Sequence, residues 1–210
     1  MPVIINEHRE GLYHLGLWNV TEDEDTLFSM LCLNDADCKR FQSFQNPARR
    51  TEWLSVRTLL KEMTGNTTGI HYNERRKPFI NDHSYHISIS HSNKLTSVLL
   101  SKNHRVGIDL EFMSHRIGKI AHKFMSEKEA KALDKEMEFF HLYIHWCAKE
   151  ALYKICDKDG LNFKTNLIIE PFKPGEKGQI KGKVIRDDHN EDFGMHYFRL
   201  DNYIVVWCMK

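Results

Sequence analysis

Apolar and polar residues along the 210-residue chain recur with two different periods, and the switches between them mark out its elements. Residues 3–5 and 12–18 have an extended pattern. Thr21 followed by Glu24 has the form of a capping box, with Leu27, Met30 and Leu31 on one helical face behind it. Asn46 before Pro47 predicts an N-cap with proline at the first helical position. Trp53, Val56, Leu60 and Met63 then recur at helical spacing until Gly65 stops the helix. Short strands are predicted around 69–72, 86–91 and 95–101.

The same order restarts at residues 105–112, RVGIDLEF. A second capping box, Ser126 with Glu129, precedes a long helical stretch from Glu138 to Cys156. Strands follow near 166–172, 178–185, 195–200 and 203–208, with turns at Pro174-Gly175 and Asp201-Asn202. Each half therefore reads strand, helices, strands. This predicts an α+β chain of two similar α/β lobes, 1–104 and 105–210.

Composition narrows the class. With 41% hydrophobic and 28% charged residues, the chain has the balance of a folded protein. Thirty Lys and Arg against 29 Asp and Glu leave a net charge of +1, so no global field recruits nucleic acid or an anionic membrane. Any phosphate-binding surface must be a local cluster. The five cysteines, Cys32, Cys38, Cys147, Cys156 and Cys208, form no CxxC pair and are expected to be reduced and buried. MPVIINEHREGLYHLG lacks the plan of a signal peptide, and the longest apolar run, Tyr203 to Met209, is too short to span a bilayer. The expectation is a soluble, cytoplasmic protein.

Three segments carry candidate chemistry. In Val106-Gly107-Ile108-Asp109-Leu110-Glu111, alternation along a strand points Asp109 and Glu111 off one face. A solvated acidic edge would look the same, but Asp is a poor strand residue, and the flanking glycine suits close approach of another group. In Trp146-Cys147-Ala148-Lys149-Glu150-Ala151-Leu152-Tyr153-Lys154, Glu150 and Lys154 are helical i,i+4 neighbours. Such a pair is ordinarily worth only about 0.2–0.5 kcal/mol to a helix. The third segment is Arg75-Arg76-Lys77-Pro78 followed by Ser88-Ile89-Ser90-His91-Ser92. No G-x-S-x-G elbow is present and strand neighbours face opposite ways, so Ser90 and His91 do not read as a nucleophile and its base. His141 and His145 share a helical face but lack H-E-x-x-H, which favours packing at the edge of the core.

Together, Gly107-Ile108-Asp109-x-Glu111 and Trp146-Cys147-x-Lys149-Glu150-Ala151-x-x-Lys154, about forty residues apart, resemble the two signature motifs of the 4′-phosphopantetheinyl transferases. Lys77-Pro78 and Ser90-His91-Ser92 match two further landmarks upstream. The likeness spans 75–154, extends loosely to Arg49-Arg50, and nearly vanishes in the last fifty residues. The length is similar to that of the larger two-lobed, or Sfp-type, branch rather than the small trimeric synthases.

The resemblance implies two lobes related by a pseudo-two-fold axis and a monomeric enzyme. That enzyme would move phosphopantetheine from coenzyme A, its co-substrate, to a serine of an acyl or peptidyl carrier protein, releasing adenosine 3′,5′-bisphosphate. It implies Mg²⁺ held by Asp109, Glu111 and Glu150. Two carboxylates ~5 Å apart repel by about 3 kcal/mol at an effective dielectric of 20, so three of them call for a cation or a proton. Glu150 would serve as the base for the serine, with Lys149 and Lys154 as point charges at the pyrophosphate. Lys77, Ser90 and His91 would hold the nucleotide end, with Arg50, or its neighbour Arg49, at the 3′-phosphate. Lys39 and Arg40 are further candidates there.

Two other readings compete. A metal-dependent phosphodiesterase would want E-x-K after the aspartate, but position 113 is Met113. The near-neutral charge also argues against a nucleic-acid substrate. A non-catalytic coenzyme A or nucleotide-binding module would have shed part of the acid and lysine set, which is complete here.

Overall fold

In the computed structural model, which describes residues 3–66, 69–156, 160–186 and 189–210, the chain divides into two units, one ending at His104 and the other beginning at Arg105. The first runs β1 (Val3–Arg9), β2 (Tyr13–Asn19), α1 (Glu24–Ser29), α2 (Asp35–Gln42), α3 (Pro47–Thr64), β3 (Ile70–Tyr72), β4 (Pro78–Ile80), β5 (His86–Ser92) and β6 (Leu95–Ser101). Its main sheet is antiparallel in the order β1-β2-β6-β5, and β3 with β4 forms a separate pair. Helix α3 begins and ends as its sequence predicts. The Asn46 side chain accepts the Ala48 amide, Pro47 opens the first turn, and Gly65 closes the helix at φ 73°, a left-handed conformation that favours glycine. Trp53, Val56, Leu60 and Met63 bury against Trp18, Val98 and Leu100 of the sheet. A buried hydroxyl pair, Ser55 Oγ to Thr96 Oγ1 at 2.8 Å, ties the helix to β6.

Helix α1 starts later than the Thr21/Glu24 pattern predicts. Asp23 is its cap and accepts the Thr26 amide, while Glu22 accepts the Thr21 amide and the Trp18 indole N–H. Helix α2 has no strong apolar period and is not foreseen. It is held by tertiary chemistry: the buried guanidinium of Arg57 lies 3.3 Å from an Asp37 carboxylate oxygen and stacks over Trp53.

The second unit runs β7 (Val106–Phe112), α4 (Ile117–Phe124), α5 (Glu127–Lys131), α6 (Glu138–Cys156), β8 (Leu167–Ile169), β9 (Lys177–Ile185), β10 (Asn190–Leu200) and β11 (Tyr203–Met209). These strands form one antiparallel sheet in the order β7-β11-β10-β9-β8. Ile144, Cys147, Ala148, Ala151, Leu152 and Ile155 give α6 a continuous buried face packed with Ile180, Val184, Met195, Ile204 and Val206. The fold is thus mixed α and β, as expected. Of the cysteines, Cys147, Cys156 and Cys208 are buried, Cys38 is half-buried and Cys32 is exposed, so the expectation of buried thiols holds for three. Among the described residues no helix is long and apolar enough to cross a membrane.

One position controls how closely α6 approaches β7. A Cβ on Gly107 would overlap the Ala151 carbonyl oxygen and stand 3.0 Å from Ile155 Cβ. The obstacle is helix backbone, which cannot turn aside as a side-chain tip could. Gly107→Ala should therefore push α6 outward and cost about 1–3 kcal/mol, the usual range for overpacking. A urea titration followed by circular dichroism tests this, and an unchanged midpoint would contradict it.

Candidate active site

The site of the second unit is assembled by that approach. Asp109 and Glu111 lie two residues apart on β7, paired with Val206 and Ile204 of β11. Both carboxylates fall on the side met by α6. From the helix, Lys154 Nζ donates to Asp109 Oδ1 at 2.7 Å and to the Ile108 carbonyl at 3.0 Å. Trp146 Nε1 donates to Glu111 Oε1 at 3.3 Å, so the motif tryptophan positions one acid. Asp109 is buried, Glu111 half-buried, and Glu150 half-buried one helical turn before Lys154.

Electrostatics shows that these acids feel one another. Burial, and then the charge on Asp109, push the Glu150 carboxyl up to about 7, with Glu111 adding to the shift and Lys154 opposing it. The same acid field, after burial, holds the Cys147 thiol well above its ordinary value, which leaves Cys147 unreactive. Among the described residues no three His, Cys, Asp or Glu side chains stand as a ready metal cage. The donor set still suits a hard divalent ion. Three carboxylates could supply oxygen ligands, and burial, followed by the charge on Asp109, favours a proton on Glu150.

Lys149 is placed elsewhere, which corrects its expected role at the pyrophosphate. Its side chain is fully buried, and its ammonium donates to Glu129 Oε2 at 2.8 Å, the Phe124 carbonyl at 2.7 Å and the Phe163 carbonyl at 2.8 Å. All three ammonium donors are satisfied, so none remains for a phosphate. Glu129 is the counterpart hub: it also accepts from Ser126 N, Ser126 Oγ and Ile169 N. The sequence shows Glu129 only as half of a capping box, because nothing local marks its partner on another helix.

His141 and His145 pack in the core, as their motif context predicts. The Asp134 amide donates to His141 Nδ1 at 3.1 Å, both rings lie against Phe172, and burial drives His145 down to about 3 and so keeps it neutral.

In the first unit, Lys77 precedes β4, and Ser90 and His91 lie on β5. Ser90 is buried and His91 exposed, consistent with opposite faces of a strand. Arg49 and Arg50 separate sharply. Arg50 pairs with Glu24 and lies over the Phe41 ring. Arg49 instead joins His91 through Glu52, whose Oε2 lies 3.0 Å from Arg49 Nη1 and 3.1 Å from His91 Nε2. Glu52 is a residue the sequence does not single out.

Paired acids on a strand thus meet an acid and a lysine delivered by one helix, a set of groups with the chemistry to hold a cation beside a phosphate. Residues 105–208 match the family model of the 4′-phosphopantetheinyl transferase superfamily. The chain is also similar to a curated relative, 4′-phosphopantetheinyl transferase gsp of Aneurinibacillus migulanus, with 39% identity over 92 residues. That alignment covers 41% of this chain and 37% of the relative, so the chain matches well under half of the relative's length.

Two outcomes follow from the geometry. Lys149→Ala would leave Glu129 as an uncompensated buried charge and should cost about 3–5 kcal/mol of stability, read from the denaturant midpoint. An unchanged midpoint with weakened phosphate-ligand binding would restore the original assignment. For Glu150, the folded carboxyl is raised from 4.5 to about 7, so the folded state holds the extra proton between those values. The Glu150 contribution to the stability of chelator-treated protein should therefore fall as pH rises from about 4.5 to about 7, while buried His145, neutral in the fold, acts in the opposite sense. Glu150→Gln should remove that contribution, so the stability difference between wild type and variant in urea melts should change between pH 5 and pH 8, and an unchanged difference would contradict the coupling.

Proposed function

We propose that this protein transfers the 4′-phosphopantetheine group of coenzyme A to a serine of an acyl or peptidyl carrier protein. The observation that carries this reading is the meeting of Asp109, Glu111, Glu150 and Lys154 where α6 crosses β7, within the residues that match this superfamily. In the reaction, the carrier serine oxygen attacks the phosphorus that bears the pantetheine. The bond from that phosphorus to the bridging oxygen breaks, and adenosine 3′,5′-bisphosphate leaves with the electron pair. Glu150, half-buried on α6 one turn before Lys154, takes the serine proton.

Lys154, fixed on the Ile108 carbonyl and Asp109, supplies positive charge on the pyrophosphate side. Asp109, Glu111 and Glu150 would hold a Mg²⁺ ion, which neutralises phosphoryl charge when bound. In the first unit, Lys77, Ser90 and His91 would hold the nucleotide end, with Arg49 in place of Arg50 at the 3′-phosphate. Likeness of the two units, each laying one long helix against an antiparallel sheet, belongs to the same proposal. So does a monomeric protein working in the cytoplasm.

Intact mass spectrometry of an apo carrier protein, incubated with the chain, coenzyme A and Mg²⁺, tests the reading. We expect the phosphopantetheine mass on the carrier, and loss of that product in Asp109→Ala with the fold retained. Coenzyme A binding without any transfer, across fatty-acid, polyketide and peptide-synthetase carriers, would instead favour a binding module.

A further inference from the structure

The Arg49–Glu52–His91 cluster contains a carboxylate where the proposed function places only donors to phosphate. Its geometry is built in. Thr96 of β6 faces His91 of β5 in register, and Thr96 also holds Ser55 by the buried hydroxyl contact. Glu52 lies one helical turn before Ser55 on α3, so the helix carries it to His91. A single oxygen, Glu52 Oε2, receives both Arg49 Nη1 at 3.0 Å and His91 Nε2 at 3.1 Å. The His91 hydrogen bond, more than any other influence, holds the Glu52 carboxyl below its ordinary range, so it is anionic at neutral pH. All three side chains remain partly open to solvent, and a ligand can reach them.

We propose that Glu52 is an internal counter-anion that occupies the place of the ligand's 3′-phosphate and must yield to it, so that it sets the affinity for 3′-phosphorylated nucleotides and speeds their release. The inference rests on the reading that Arg49 and His91 hold that phosphate. Two donors converging on one anionic oxygen is the arrangement a phosphate oxygen needs. A phosphate monoester brings up to two charges and three oxygens against one carboxylate, so it wins the competition, but at reduced net affinity. The consequence falls on the product as well as the substrate. Adenosine 3′,5′-bisphosphate keeps the 3′-phosphate after transfer, and a carboxylate competing for the same donors hastens its departure.

The test is calorimetric binding of coenzyme A, 3′-dephospho-coenzyme A and adenosine 3′,5′-bisphosphate to wild type and Glu52→Gln. Glutamine keeps an acceptor for Arg49 and His91 but removes the charge, at a position open enough for the fold to survive. A melting curve checks that. We expect coenzyme A and the bisphosphate to bind about three- to tenfold tighter to the variant, a gain that shrinks in high salt, with dephospho-coenzyme A unchanged. Unchanged or weaker coenzyme A binding in the variant overturns the role of Glu52 alone, and so does equal tightening of the dephospho ligand. If wild type binds coenzyme A no better than its dephospho form, the assignment of Arg49 and His91 to the 3′-phosphate fails, and this inference fails with it.

Discussion

The site of the second unit depends on one close approach, the backbone of α6 against the backbone of β7 at Gly107. With hydrogen as the only side chain at 107 and methyl groups at Ala148 and Ala151, helix and strand meet without a spacer. That distance lets the Lys154 ammonium reach a β7 carbonyl as well as Asp109. It also lets the field of Asp109 bear on Glu150 in a partly buried, weakly screened setting. A helix pushed outward would separate these groups and return each to ordinary surface behaviour. Backbone packing and site electrostatics are therefore one property here.

Lys149 and Lys154 show how finely the helix sorts chemically identical side chains. They are five residues apart, so they leave the axis about 140° from each other. One meets the buried carboxylate of Glu129 and two carbonyls, and the other meets the acids of β7. Lys149 is joined by Glu129 to α5, Ser126 and Ile169, which makes it a tie between the helix and the segments around it. Lys154 keeps part of its side chain open to solvent and can take part in binding.

A common pattern links the two units. Lys154 is answered by Asp109, Lys149 by Glu129, Arg50 by Glu24, and Arg49 with His91 by Glu52. Each of these basic groups is held in place by an internal carboxylate. Anions without the geometry or the charge to compete gain little at such sites, whereas a well-shaped polyphosphate exchanges one anion for another. Selectivity of this kind arises from competition rather than from an exposed basic surface.

The sequence alone determined whatever depends on neighbours along the chain. Asn46-Pro47 and Gly65 bound α3, the Ser126–Glu129 box starts α5, and the apolar stretch from Glu138 to Cys156 is α6, because caps, proline and helical period act within a few residues. The spacing of Asp109, Glu111, Glu150 and Lys154 was legible too, since strand and helix periods set which side chains share a face. Tertiary structure decided the rest. Lys149 and Lys154 are equally plausible phosphate ligands until packing against α5 buries one of them. Arg49 and Arg50 are interchangeable in one dimension, and only the positions of Glu24, Phe41 and His91 separate them. Glu129 and Glu52 carry no local sign of their roles because their partners lie on other elements, and charge pairing acts through space.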